Sequence, residues 1–425
     1  MPAPVQRDRA VNILYISQYY PPEMGAPAAR VSELAQHWIA AGHEVTVLTG
    51  FPNHPTGVLD PAYRKPFRRL VWREKFKGVS VIRTWLWPLP NRKTAERILN
   101  YSSFFLSACV TGSLVGRPDV VIATSPQLLV GLAGWWIAGI KRVPLVFEVR
   151  DRWPESLMAV GVGSRNSVLH RSLRAIAGFL YQHSGHIVVV TPAVKEHLIS
   201  EWKVPAAKIS VVPNGVETDL FADSGRGEGP PELKLAGKFV VSYIGTLGMA
   251  QRLETIMDCA AELADEIPQI VFLLAGEGAE RKRLLDIARE KDLDNVRFLP
   301  QQAREKIPAI IGASDVCLVL LRKTALFKTG IPTKMLEYMS CARPVILGVD
   351  GYARMLLQDA GAGLYVEPED SRSLAAAVRK LYKDPELRRT LGANGRQFIL
   401  KNLSRKETSE SYREVLEKLL APPAG

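Results

Sequence analysis

Short runs of β-branched and aliphatic residues recur along almost the whole 425-residue chain, with helical patterns between them. The first half holds VNILYIS (11–17), EVTVLTG (44–50), VSVIRT (79–84), DVVIATS (119–125), VPLVFEV (143–149) and HIVVVT (186–191). The second holds ISVVPNG (209–215), FVVSYIG (239–245), IVFLLAG (270–276), VRFLP (296–300), DVCLVLL (315–321), RPVILG (343–348) and GLYVEP (363–368). Runs that stay apolar without alternation are strands buried on both faces, the condition of a parallel sheet covered by helices. Strand and helix in turn predict doubly wound, Rossmann-like α/β folding. The chain is long enough for two such domains. Residues 204–238 are rich in Gly, Pro and charge, which marks a connection. The expected domains are 1–205 and 206–400, with 401–425 a terminal amphipathic helix packing back across them. Ligands of open parallel sheets bind beyond the carboxyl ends of the strands. Two facing sheets therefore predict one cleft, lined by the loops that follow the strands.

Charge divides the chain unevenly. Residues 1–200 hold 23 Lys and Arg against 12 Asp and Glu, whereas the remaining residues hold 32 against 31. Residues 64–97 alone carry eleven cations opposed only by Glu74 and Glu96, with Trp72, Phe76, Trp85 and Trp87 interleaved. Cations with tryptophan suit a surface that meets anionic headgroups. No nucleic-acid motif accompanies them, so a nucleic-acid partner is not expected. The apolar stretches 104–116 and 128–140 fall short of the ~20 residues needed to cross a bilayer and read as core helices. The N-terminus lacks the pattern of a signal peptide. Four scattered cysteines exclude a disulfide framework or a zinc site and fit a reducing cytosol. The expected location is the cytoplasm, peripheral on the inner face of the membrane.

The loops after the strands carry the chemistry. Gly25 follows the first strand and opens a helix, allowing close approach of a ligand. No GxGxxG stands there, which disfavours a dinucleotide. The stretch FEVRDRWPES places Glu148, Arg150, Asp151, Arg152 and Glu155 around Trp153-Pro154. We expect a polar binding site there, with Glu148 and Arg152 facing an acceptor and Asp151 accepting a hydroxyl proton. Asn214-Gly215 is a turn signal. YIGTLGMAQRLE brackets a turn with Gly245 and Gly248 and sets Arg252 just inside the next helix, as an anion site requires. LLAGEG repeats the arrangement with Gly276, Gly278 and the polar Glu277. In FKTGIPTKMLEY, Pro332 starts a helix and Gly330 gives access. Lys334 then lies at the positive end of the helix dipole, where a cation is unfavourable unless an anion sits beside it. One turn on, Glu337 is able to accept hydrogen bonds from a diol such as a ribose.

Read in order, YYPPEMGAPAARVSELAQHW, DRWPES, PNGV, YIGTLGMAQ, LAGEG, FLPQ and PTKMLEYMSCARPVI resemble the family 4 glycosyltransferases of GT-B fold over about residues 11–418. The similarity is greatest to the O-antigen and colanic-acid branch, which includes N-acetyl-L-fucosamine transferases. The resemblance implies retaining transfer from a nucleotide diphosphate-sugar, with UDP as the expected nucleotide and an N-acetylated deoxyhexose as a candidate sugar, without a metal or other cofactor. The implied acceptor is a polyprenyl-diphosphate-linked saccharide. By position, Glu337 resembles the family's ribose-binding Glu, and Arg252 lies near its phosphate-binding cation. Lys334 is implied as a second phosphate contact. Phe298 and Pro300 resemble the base-binding strand end, while Gly25, Asn214, Gly245, Gly248, Gly276, Glu277 and Gly330 complete the implied donor side. Where the family has Glu-x7-Glu, Thr329 replaces the first Glu, and ATSPQ stands where the family often has a His. A nucleotide-sugar epimerase of the same architecture, or a non-catalytic sugar-nucleotide binder, fits the same residues. An epimerase turns over donor without an acceptor, and a binder releases no nucleotide.

Overall fold

The computed structural model describes residues 10–421 apart from 55–56, 90–92, 126, 153–154, 156–166 and 228. Trp153 and Pro154, and Arg92, one of the eleven cations of 64–97, lie outside the described residues. The chain separates into two compact units. One runs to Pro213 and takes in the chain again from Ser409; the other is Asn214–Thr408. Each is an α/β unit around its own sheet, as the alternation predicts.

The first sheet contains β1 (Asn12–Ile16), β2 (Glu44–Gly50), β3 (Val71–Phe76), β4 (Val79–Thr84), β5 (Val120–Thr124), β6 (Leu145–Val149), β7 (His186–Val189) and β8 (Ile209–Val211). Their order is β3-β4-β2-β1-β5-β6-β7-β8. All neighbours are parallel except β3, which returns antiparallel on β4. Residues 206–213, read from the sequence as the start of the second domain, belong here because β8 extends this sheet. β3 was not expected either. Its sequence VWREKF buries only alternate residues, as an edge strand does, and the outward Arg73 and Lys75 guard that edge. Arg83 of the basic segment is wholly buried: it bonds Glu74 at 2.6 Å and the Pro21 carbonyl at 2.5 Å, beneath the Tyr63 ring. It is a core cation, unavailable to any headgroup.

Helices Thr94–Leu114, Leu128–Lys141 and Val168–His183 cover one face of this sheet over a core that includes Leu14, Ile82, Phe104 and Phe147. Helix Ala26–Ala40 covers the other, where Trp38, Tyr15, Tyr412 and Leu416 share a cluster. The Trp38 indole donates to the Ser409 carbonyl at 3.1 Å and meets the Tyr412 ring edge-on. Burying large rings in this way is worth several kcal/mol each.

The second sheet holds β9 (Phe239–Ile244), β10 (Ile270–Ala275), β11 (Val296–Leu299), β12 (Val316–Leu320), β13 (Val345–Gly348) and β14 (Gly363–Tyr365). All are parallel, in the order β11-β10-β9-β12-β13-β14. Chain order reverses between β9 and β12, so the loops after these two strands flank the switch point. Helix Thr333–Ser340 is fastened there by Tyr338, whose hydroxyl accepts from Ile244 N at 2.9 Å and donates to Ile244 O at 3.0 Å.

Candidate functional site

Two glycines let the loops beyond β9 and β10 close on one another. Gly276 has φ +148°, and a Cβ there would lie 1.9 Å from the Gly245 carbonyl oxygen. Gly245 has φ +139°, and its Cβ would lie 2.7 Å from Lys334 Nζ. Side chains at either position would block this contact. Backbone bonds from Gly245 N to Ala275 O and from Leu247 N to Glu277 O, at 2.8 and 2.9 Å, tie the loops together. The strand ends, the glycine turn and the start of helix Thr333–Ser340 thus converge.

Lys334 is in the first turn of that helix. Its ammonium donates to the Tyr243 hydroxyl and lies 3.8 Å from the ring centre. The hydroxyl in turn donates to Thr246 O at 2.8 Å. Among the described residues no carboxylate forms an ion pair with Lys334. Desolvation pushes its pKa down to about 7, with Glu337 opposing. Desolvated charge at the positive end of a helix dipole is costly, and an anion lying against it removes both penalties.

Glu337, one turn on, accepts a hydrogen bond from Arg304 Nη1 at 2.9 Å, and that guanidinium lies over the Phe221 ring. A carboxylate held by one arginine keeps lone pairs for a second donor. Arg304 was missed because it stands 33 positions upstream of Glu337 and outside the quoted motifs.

Arg252 differs from expectation. It precedes helix Glu254–Leu263 and takes φ +49°, a left-handed conformation that favours glycine. Its Nε binds Glu369 at 3.2 Å, with Glu254 at 3.8 Å. The cation is therefore matched by carboxylates, unlike Lys334.

The remaining positions occupy the strand ends and turns around these groups. Gly248 N donates to Gln251 Oε1 at 3.1 Å, closing the turn ahead of Arg252. Glu277 is exposed and paired with Arg281 at 3.4 Å. Phe298 is half-buried on β11, and Pro300 is exposed beyond it. Thr329 ends the turn Phe327–Thr329, where its hydroxyl donates to Leu326 O at 3.0 Å. Gly330 is extended at φ −102° with open space at its Cβ, so its backbone does not demand glycine. Asn214 begins the second unit in extended chain rather than the turn its sequence signals, and a Cβ at Gly215 would lie 2.9 Å from the Ser404 carbonyl oxygen.

In the first unit, Glu148 is a core residue rather than an acceptor contact. It is fully buried in β6, accepts from Arg30 Nε and Nη2 at 3.2 and 3.1 Å, and takes Thr124 and Tyr15 hydroxyls on its other oxygen. Arg30 also donates to the Val212 and Pro213 carbonyls. The sequence reading took a carboxylate at a strand end for a surface group because its partner is 118 positions away. Asp151 is exposed beyond β6. Arg152 is half-buried next to it. Arg150, given no role by the sequence, has Nε and Nη1 buried without hydrogen-bond partners among the described residues. Desolvation lowers its pKa, Glu148 opposes, and Arg30 repels it. Gly25 caps helix Ala26–Ala40 at φ +142°.

Two parallel-sheet units, with a glycine turn and a charged helix start at the switch point of the second, have the GT-B fold of glycosyltransferases. Residues 25–215 match the family model described as glycosyl transferase 4-like domain, and residues 228–398 the model for glycosyl transferases group 1. The chain is built of these two glycosyltransferase domains in that order. It is 24% identical to the putative colanic acid biosynthesis glycosyl transferase WcaI of Escherichia coli K12, over 87% of this chain and 92% of the relative. It is 25% identical to the probable glycosyltransferase WbjE of Pseudomonas aeruginosa, over 78% and 82%. Among solved structures, sucrose-phosphate synthase from Thermosynechococcus elongatus superimposes with TM-score 0.77 at 22% identity, over 96% of this chain and 98% of the other. Anabaena HepE in complex with UDP gives 0.70 at 18%, over 96% and 100%. These likenesses establish the fold.

Proposed function

We propose that this chain transfers a sugar from a UDP-linked donor to a lipid-linked, diphosphate-bearing saccharide in cell-surface polysaccharide synthesis, with retention at the anomeric carbon. The observation that carries the reading is Lys334: a desolvated ammonium at a helix start, beside a glycine turn, whose one hydrogen-bond partner among the described residues is a tyrosine hydroxyl. The donor diphosphate lies against this ammonium, and the ribose hydroxyls reach Glu337. As the bond from the anomeric carbon to the β-phosphate oxygen breaks, the nucleoside diphosphate leaves with the electron pair. Lys334 stabilises that growing charge, and Arg252 joins it by exchanging Glu369 for the phosphate. The acceptor hydroxyl oxygen bonds the anomeric carbon from the same face, and its proton passes to Asp151. Arg150 holds the acceptor's phosphate.

Support comes from relatives. HepE has been solved with UDP and with UDP-glucose, WcaI is named for colanic acid biosynthesis, and WaaG, of the same fold, for lipopolysaccharide biosynthesis. A thermal-shift panel of UDP-, GDP- and ADP-sugars, followed by product analysis with a polyprenyl-diphosphate sugar, tests the reading. A UDP-sugar raises the melting temperature, and nucleotide release requires the acceptor. Release of an epimerised donor without acceptor contradicts it.

A further inference from the structure

Helices Thr94–Leu114 and Leu128–Lys141 lie side by side on the first sheet. Gly112 abuts Ile137, whose Cδ1 would stand 2.3 Å from a Cβ at 112. Lys141 Nζ donates to the Ser113 carbonyl at 2.6 Å and also to that of Val115. Their inner sides bury Phe104, Ala108, Val130 and Ile137 in the core. A surface helix ordinarily turns polar residues outward. These two turn out Leu106, Val110 and Leu114, exposed by 63, 64 and 78%, and Trp135, Trp136 and Ile140, the last two each exposed by 49%. Spans 98–116 and 120–140 contain no charged residue at all. Charge returns at the ends: Lys93 before the first helix and Arg97 in its first turn, Arg117 between the two, Lys141 as the last residue of the second and Arg142 just after it. The two acids nearby are engaged, Glu96 by Lys93 N and Asp119 by Asn12 N.

We propose that this helix pair is the surface by which the protein sits on a bilayer bearing anionic headgroups. A wide apolar face with tryptophans and a cationic rim matches the layering of a lipid interface, acyl chains beneath charged headgroups. Among the described residues no helix is long and apolar enough to cross a membrane, so the pair lies along the interface. A second copy of this chain is a poorer occupant, because a two-fold interface would bring two cationic rims together. Of the basic stretch 64–97 that composition alone suggested, the site takes only the last two cations, Lys93 and Arg97. There Arg83 is buried, and Trp72, Phe76 and Trp85 are partly covered. The assignment rests on the proposed lipid-linked acceptor for its purpose, not for its physics.

Flotation of the full chain with phosphatidylcholine vesicles, with or without phosphatidylglycerol, tests it. Wild type should float with the anionic vesicles and be weakened, not released, by 0.5 M salt. Leu106→Glu with Val110→Glu, both outward-facing, should cut the floated fraction at least tenfold while the melting temperature and transfer to a water-soluble acceptor stay unchanged. Arg68→Glu with Arg69→Glu should cut it much less. Failure of wild type to float, equal flotation of the helix variant, greater loss in the Arg68/Arg69 variant, or a dimer that the helix variant dissolves would each overturn the proposal. Loss of transfer to the soluble acceptor in wild type itself would instead count against the sugar-transfer reading.

Discussion

Lys334 Nζ stands 3.8 Å from the centre of the Tyr243 ring and donates to that ring's hydroxyl. The hydroxyl spends its own proton on Thr246 O, so it offers the lysine a lone pair and no countercharge. Tyr338 fixes the helix that carries the lysine against β9. The ammonium is thus held firmly where it is electrostatically least comfortable.

Replacing Lys334 with Met should lower kcat by about 10²–10³-fold, the usual cost of losing one preorganised donor to developing charge. The melting temperature should not fall, since the lost group is a half-buried, desolvated cation with no ion pair among the described residues. Steady-state kinetics with the donor identified by the panel, beside a thermal melt, reads both. A loss of stability with unchanged kcat would make Lys334 structural.

The same lysine gives a pH signature in the ligand-free protein. Its folded pKa, about 7, lies below its unfolded value of about 10.4. Between these the unfolded chain binds the extra proton, so stability rises with pH there, by at most about 1.4 kcal/mol per pH unit. Below pH 7 the penalty is complete. Denaturant melts of wild type and Lys334→Met at pH 7, 8 and 9 should show wild type gaining on the variant; parallel curves would mean the ammonium is not desolvated.

Glu148→Ala should destabilise the first unit by roughly 3–5 kcal/mol, because Arg30 is then left buried without its partner. The effect should appear in chemical denaturation and not as a change in acceptor KM among molecules that remain folded. A selective KM change at full stability would restore Glu148 as a ligand contact.

Arg252→Gly separates two roles. Glycine suits the left-handed backbone at 252, which costs an ordinary residue roughly 1–2 kcal/mol. The variant should therefore melt no lower than wild type while losing kcat with the loss of the cation. Undiminished turnover would leave Arg252 as a partner of Glu369 alone.

The parallel strands were legible in the sequence because burial on both faces leaves unbroken apolar runs, as in β9 and β10. β3 was not, because three consecutive charges, Arg73, Glu74 and Lys75, disguise an edge strand as a loop. Lys334 announced itself by a local misfit, a cation in the first turn of a helix. Glu148 misled for the opposite reason: nothing near it in the chain betrays Arg30, which neutralises it from the first helix. Arg304 and Arg150 likewise acquire meaning only from groups brought to them by the fold. Local electrostatic conflict can be read from sequence, whereas its resolution by a distant partner cannot.

Calorimetric titration of UDP-glucose at pH 8, repeated in buffers of different ionisation enthalpy, tests the central claim most directly. A diphosphate resting on Lys334 should restore its charge, so binding takes up close to one proton in wild type and none in Lys334→Met. Binding of equal strength in both proteins, with no proton uptake in either, would contradict the account.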